Sequence, residues 1–195
     1  GGVMHVHLGA LPSKIDVLLE SATEFPSLIS YISPTHIGRT HDLFLQAIEF
    51  AKLGGMVDIS TGGTKYTDPH LTVMEGLERG ININQMTFSS DGNAGVRRKN
   101  SETGEDTYKK APLHKNLEQV VALIKEDGMS PSEAFKLITV NPAKNMKLKS
   151  KGRIAEELDA DFTLFDDQWQ LQEVWARGTR MMHEGTVIKK GNFEE

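Results

Sequence analysis

Cysteine is absent from the 195 residues, which excludes disulfides and thiolate metal sites. Any metal would be held by nitrogen and oxygen donors. A chain without cysteine fits a reducing compartment, and a cytoplasmic address is expected. Positive charge is in the minority: 22 Lys and Arg against 27 Asp and Glu leave a net charge of -5. No nucleic-acid partner is expected from that balance. No apolar run approaches the roughly 20 residues needed to cross a bilayer, and no basic segment precedes an apolar one near the start. Neither a membrane partner nor a signal peptide is therefore expected.

What is present is a chain 38% hydrophobic and 25% charged, enough for a globular domain with a sizeable core. It opens Gly1-Gly2-Val3-Met4-His5-Val6-His7, straight into a strand-like segment, which suggests a piece of something longer. Strand-like runs then alternate with amphipathic helices. Strands are expected at Val3 to Leu8, Leu28 to Ser33 (closing on Pro34-Thr35-His36), Met56 to Ser60 and Gln85 to Ser90. Lys14 to Ser21 is weakly helical. A clear helix runs from about His41 to Leu53, with Leu43, Phe44, Ala47, Ile48 and Ala51 on one face and Gly54 as its stop. Asp68-Pro69 opens a helix as N-cap and first residue, and Gly80 closes it. A helix around Leu117 to Glu126 stops at Gly128. The capping box Ser130-Pro131-Ser132-Glu133 starts another, which breaks near Asn141-Pro142.

This alternation argues for parallel β/α units. Four such units make half of an eight-stranded barrel, and a whole barrel takes about 250 residues. Residues 1–150 are expected to be that half barrel. Residues 151–195 change character: Gly152-Arg153-Ile154, Asp161 to Phe165, Leu171 to Ala176 and Met181 to Val187 look like short strands, with Gly178 and Gly185 placed for hairpin turns. Between Gly92 and His114 lies a polar stretch without periodicity, expected to be a structureless binding loop, a lid or a disordered segment, placed after the fourth strand at the barrel mouth.

Three of the four strands end in groups that would fit a metal hydrolase: His7, His36 and Asp91. Side chains at the C-terminal ends of barrel strands converge on the mouth. Two imidazoles and a carboxylate suit zinc, which lowers the pKa of bound water, and a carboxylate can pass that proton to a leaving amine. Taken singly, each residue has a plainer role. A strand-end histidine packs and hydrogen-bonds, and an Asp before Gly-Asn forms a turn. His5 shares a face with His7, lies one layer deeper, and is expected to be buried and hydrogen-bonded. Arg39 could grip a substrate carboxylate with two parallel hydrogen bonds. The Arg97-Arg98-Lys99 run could meet an acidic substrate or simply be solvated. His41, His70, His114 and His183 receive no function; Asp166-Asp167 and Glu194-Glu195 are read as turn and surface residues.

The segments His7-Leu8-Gly9, Pro34-Thr35-His36-Ile37-Gly38-Arg39, Ala47 to Gly55, Val57-Asp58-Ile59 and Ser89-Ser90-Asp91-Gly92-Asn93 together resemble the isoaspartyl dipeptidases of the amidohydrolase superfamily. Lys151-Gly152-Arg153-Ile154, Asp159-Ala160-Asp161 and Val174-Trp175-Ala176-Arg177-Gly178 extend the resemblance over nearly the whole chain. It implies an α/β fold: the C-terminal half of a (β/α)8 TIM-type barrel, strands five to eight, followed by short strands of an appended β-sandwich. It further implies a zinc-dependent hydrolase that cleaves the β-aspartyl peptide bond of isoaspartyl dipeptides through a metal-bound hydroxide. His7 and His36 would hold one of two Zn2+ ions. Asp91 would touch the other and shuttle the proton, and Arg39 would bind the substrate α-carboxylate.

The family's His-x-His pair, bridging carboxylated lysine and substrate glutamate would all lie upstream of Gly1. This chain would then hold at most half the binuclear site and be inactive alone; the open sheet edges and apolar surface of a half barrel would favour the missing N-terminal half of the same protein as partner, a second copy in a homo-oligomer, or aggregation. A family serine that contacts substrate falls here on Ala94-Gly95-Val96. The rival readings are another amidohydrolase, such as a D-aminoacylase or a dihydroorotase-like enzyme, or a non-catalytic scaffold of the same fold.

Overall fold

The computed structural model describes residues 2–9, 11–12 and 14–190. The chain divides into two compact units, Gly1–Lys147 and Leu148–Glu195.

The first unit contains two parallel strand pairs. β1 (Met4–His7) pairs with β2 (Ile32–Thr35), setting His7 beside Thr35. β3 (Val57–Ser60) pairs with β4 (Met86–Ser89), setting Ser60 beside Ser89. No continuous ladder joins β2 to β3 among the described residues. The pairs meet instead through Ile37 N–H donating to the Asp58 carbonyl at 3.3 Å and through side chains taken up below.

Because strand side chains alternate, each strand has two unlike faces. One carries Met4 and Val6, Ile32 and Pro34, Val57 and Ile59, Met86 and Phe88. The other carries His5 and His7, Ser33 and Thr35, Asp58 and Ser60, Thr87 and Ser89. The apolar face packs against helices. α2 (His41–Lys52) buries Leu43, Phe44, Ala47, Ile48, Phe50 and Ala51, each large side chain contributing about 1.5–3 kcal/mol. Thr40 caps this helix by accepting from Leu43 N–H at 3.2 Å, and Gly54 follows it at φ +102°.

The other helices are α1 (Asp16–Glu24), α3 (Pro69–Glu78), α4 (Lys115–Lys125), α5 (Pro131–Ala134) and α6 (Val140–Asn145). Through α6, Asn145 donates to Ser33 Oγ at 2.7 Å and Asn141 to the carbonyls of Ile83 and Met86, both at 2.8 Å. α6 thus lies near the N-terminal ends of β2 and β4, opposite the ends that carry His36 and Asp91.

Several expectations are corrected. Pro26–Tyr31 forms a 3-10 turn rather than the start of a strand, because Pro26 opens a tight helical turn, and β2 begins only at Ile32. Asp68 makes no cap bond; its carboxylate is taken by Lys65 at 2.8 Å, which holds Asp68 below the usual carboxylate range. The helical break near Asn141-Pro142 falls earlier, at Thr139, and α6 runs through Pro142. The supposed structureless loop is a β-hairpin, β5 (Gly95–Lys99) antiparallel to β6 (Asp106–Lys110).

The second unit is a four-stranded antiparallel sheet in the order β10-β9-β8-β7, with β7 Phe162–Phe165, β8 Leu171–Ala176, β9 Thr179–His183 and β10 Thr186–Val187. Gly152-Arg153-Ile154 is not a strand. Arg177-Gly178 and Glu184-Gly185 both have positive φ at both positions, the two-residue turn that matches strand twist. Lys151 joins Asp159, at 2.9 Å, and Asp161.

Gly55 lies against the Phe50 ring: a Cβ there would come 2.2 Å from Phe50 Cε1. Phe50 is fully buried and cannot swing aside. Gly55→Ala is therefore expected to lower stability by about 1–3 kcal/mol through overpacking. Chemical denaturation measures this, and an unchanged midpoint would contradict it.

Candidate functional site

His7 and His36 are brought together. His7 Nδ1 lies 3.0 Å from His36 Nε2, with ring centroids 5.0 Å apart. The parallel register causes this: His7 stands opposite Thr35, the residue immediately before His36. Two nitrogens on one tetrahedral zinc, each bonded at about 2.0–2.1 Å, would be roughly 3.3 Å apart. The pair therefore fits a shared cation as well as it fits a hydrogen bond. His36 is buried, and its Nδ1 lies 2.6 Å from Ser60 Oγ. Ligating histidines characteristically use their second ring nitrogen in this way. Burial pushes the His36 imidazole below its ordinary value of 6.5; the Arg39 guanidinium acts in the same sense and Asp91 in the opposite one. A neutral imidazole is the form that binds metal.

His36 and Asp91 share an unusual backbone. Each follows its strand with positive φ, 66° and 51°. Such conformations cost non-glycine residues about 1–3 kcal/mol and cluster at functional sites. Asp91 is half-buried, and its carbonyl accepts from Ala94 N–H at 3.2 Å. The Gly62-Gly63 turn after β3 sits against it. A Cβ on Gly62 would come 2.4 Å from the Ser90 carbonyl, and one on Gly63 would lie 3.5 Å from Asp91 Oδ2. Among the described residues, no three His, Cys, Asp or Glu side chains converge tightly enough to hold a metal ion. Asp91 thus approaches His36 electrostatically without closing a three-ligand cluster with His7 and His36. Arg39 is half-buried one turn past His36, its N–H donating to the His36 carbonyl at 3.1 Å.

His5 is not buried. It is exposed and makes an edge-on ring contact with His7 at 5.1 Å. His7, on the same face of β1, is exposed as well. The remaining histidines are paired with acids: His41 with Glu75 at 2.8 Å, His70 with Asp127 at 2.7 Å, His114 with Glu118 at 3.0 Å and His183 with Glu173 at 3.3 Å. The side chains of Arg97 and Arg98, and Glu194-Glu195 altogether, lie outside the described residues.

Asp58 was missed as a site residue. Its carboxylate is buried and accepts hydroxyl hydrogen bonds from Thr35 and Ser89 on Oδ2, both at 2.5 Å, and from Thr87 on Oδ1 at 2.6 Å. The signal was available: a charged residue in a short buried strand demands partners, and Thr or Ser occupies matching positions on the neighbouring strands.

A sequence profile described as the amidohydrolase family matches residues 65–193. Together with parallel β/α units whose strands end in paired histidines, this defines the class. The chain belongs to the amidohydrolase family and has the mixed α/β fold of that barrel superfamily. More particularly, it is similar to a β-aspartyl dipeptidase from Fervidobacterium islandicum AW-1, solved in complex with β-Asp-Leu dipeptide. The TM-score is 0.85 and the identity 30%, over 99% of this chain and 51% of that one. An N-acetylglucosamine-6-phosphate deacetylase from Pasteurella multocida shares the fold at a TM-score of 0.57 and 14% identity, over 94% of this chain and 68% of that one. In sequence, 87 residues are 32% identical to adenine deaminase 2 of Jannaschia sp. (strain CCS1), covering 43% of this chain and 13% of that protein. The chain thus spans about half the length of the dipeptidase and a small part of the deaminase.

The depressed His36 gives a pH dependence. In the folded chain His36 gains its proton only below 6.5, whereas the unfolded chain gains it near 6.5. The unfolded state therefore binds more protons in that window, so this contribution is full above pH 6.5 and is lost as pH falls towards the folded value. Denaturation midpoints should fall between pH 7 and 5.5, and less steeply in His36→Gln. Equal slopes in the two proteins would contradict the assignment.

Proposed function

We propose that this chain is the second half of a metal-dependent amidohydrolase barrel with an appended β-sandwich, and that the complete protein hydrolyses the β-aspartyl peptide bond of isoaspartyl dipeptides. The observation that carries the reading is the His7–His36 nitrogen pair, 3.0 Å apart at the ends of parallel strands. It occurs in a chain similar over 99% of its length to a dipeptidase solved with β-Asp-Leu.

His7 and His36 would hold one cation, with zinc the best match to two imidazole donors. A cation held there would supply Lewis-acid polarisation of the scissile carbonyl and a water nucleophile at neutral pH. Asp91, held at the mouth by its left-handed turn, takes the proton of the attacking water. The C–O bond forms as that proton leaves the water, and Asp91 delivers it to the amine as the C–N bond then breaks. Arg39 is half-buried and, among the described residues, unbonded through its guanidinium. It receives the substrate α-carboxylate as two parallel hydrogen bonds. The remaining ligands come from the N-terminal half of the same protein, and the open outer edges of β1 and β4 are where its strands join. A second copy of the whole protein completes a homo-oligomer.

The sequence match to adenine deaminases supports a second reading within the family, in which a cation on the same histidines would supply a water nucleophile for a purine ring carbon. It covers less than half of the chain, and nothing in it accounts for a free guanidinium beside the histidines.

The full-length protein should release leucine from β-Asp-Leu and lose that activity when its metal is chelated. Asp91→Asn is expected to lower kcat by about 10²–10⁴-fold. Arg39→Met should act mainly on KM, raising it roughly 10–100-fold, as for a lost charged hydrogen bond. Adenine, N-acyl amino acids and dihydroorotate serve as competing substrates. Deamination of adenine with no dipeptide cleavage would overturn the reading.

A further inference from the structure

We propose that Ser60, backed by Ser89 and Asp58, is a positioning residue that fixes the tautomer of His36, keeping its proton on Nδ1 and its Nε2 lone pair bare towards His7. The inference rests on the reading of His7 and His36 as a cation-binding pair and adds what holds the second of them ready.

Counting protons fixes the direction of each bond. A hydroxyl has one proton to give, and a carboxylate only accepts. Asp58 takes hydroxyl protons from Thr35, Thr87 and Ser89. The Ser89 proton is committed at 2.5 Å, so towards Ser60, 3.5 Å away, Ser89 Oγ can only accept. The Ser60 proton has that acceptor, which leaves Ser60 Oγ to accept from His36 Nδ1 at 2.6 Å. Ser60 and His36 are both buried, so solvent does not compete at this contact. Followed outward, the chain runs Asp58, Ser89, Ser60, His36, with each donor pointing inward. Its outer end is a bare Nε2 that lies 3.0 Å from His7 Nδ1. In the opposite tautomer Ser60 gives its proton to Nδ1, Ser89 loses a donor, and a cation meets a protonated nitrogen.

The experiment is long-range proton–nitrogen correlation NMR on the metal-stripped full chain labelled with 15N-histidine, paired with zinc titration. The native chain should show His36 protonated on Nδ1. Ser60→Ala should move that proton towards Nε2 and weaken zinc binding about 10–100-fold, the usual effect of removing a ligand's outer partner. Ser60→Thr should restore both. If Ser60→Ala does not fold, Ser89→Ala is read the same way, since it frees the Ser60 proton for Nδ1. A native His36 protonated on Nε2, or an alanine variant with unchanged tautomer and zinc affinity, overturns the proposal. A native chain that binds no zinc yet keeps the Nδ1 proton supports the relay and instead removes the cation reading on which the proposed function stands.

Discussion

One buried carboxylate joins the two halves of this β/α unit. β1 with β2 and β3 with β4 are separate parallel ladders. Asp58 on β3 reaches Thr35 in one pair and Thr87 and Ser89 in the other. Burying a charge costs several kcal/mol unless its hydrogen bonds are complete. Three hydroxyl donors offset that cost, and they do so only while β2, β3 and β4 keep their relative heights. The penalty for slippage is thus built into the register. Thr35 and Ser89 are the last residues of their strands, so the same contact sets the height at which His36 and Asp91 emerge.

The polar face of the strands follows from the same arrangement. A buried strand in a parallel sheet ordinarily reads as a continuous apolar run. Here one face is apolar against the helices, and the other carries imidazoles, hydroxyls and one carboxylate. Such a face is tolerable only when each group finds a partner. The partners form a graded path, from Asp58 through the serines to imidazole nitrogens at the strand ends. Strain is spent at the end of that path, where His36 and Asp91 adopt left-handed backbone and Gly62 allows the Ser90 carbonyl to pass close by. The strands and their hydrogen bonds thus hold His36 and Asp91 on a fixed support, an arrangement that would let them act with little reorganisation.

Much of this was legible in the sequence because its signals are local. The spacing of Leu43, Phe44, Ala47, Ile48 and Ala51 specifies the buried face of α2, and Gly178 and Gly185 mark turns whose positive φ they make cheap. His7 and His36 were legible as strand ends. Their 3.0 Å contact was not, since it depends on a register that two short strands do not announce. Asp58 was hidden for a related reason: its three partners are 23 to 31 residues away, and only folding brings them together. The β5–β6 hairpin is not legible in the sequence because Asp106, Thr107, Tyr108 and Lys110 on β6 are exposed, so no buried face imposes an alternating pattern among them. The 3-10 turn at Pro26–Tyr31 was misread because Leu28, Ile29 and Tyr31 make an apolar run whose length does not separate strand from turn.

The central claim is that His7 and His36 are two ligands of one cation. Anomalous diffraction at the zinc edge, on crystals of the zinc-loaded full-length protein, tests it directly. The account predicts a peak within bonding distance of both His7 Nδ1 and His36 Nε2. Zinc bound elsewhere, with the two nitrogens still hydrogen-bonded to each other, would contradict it.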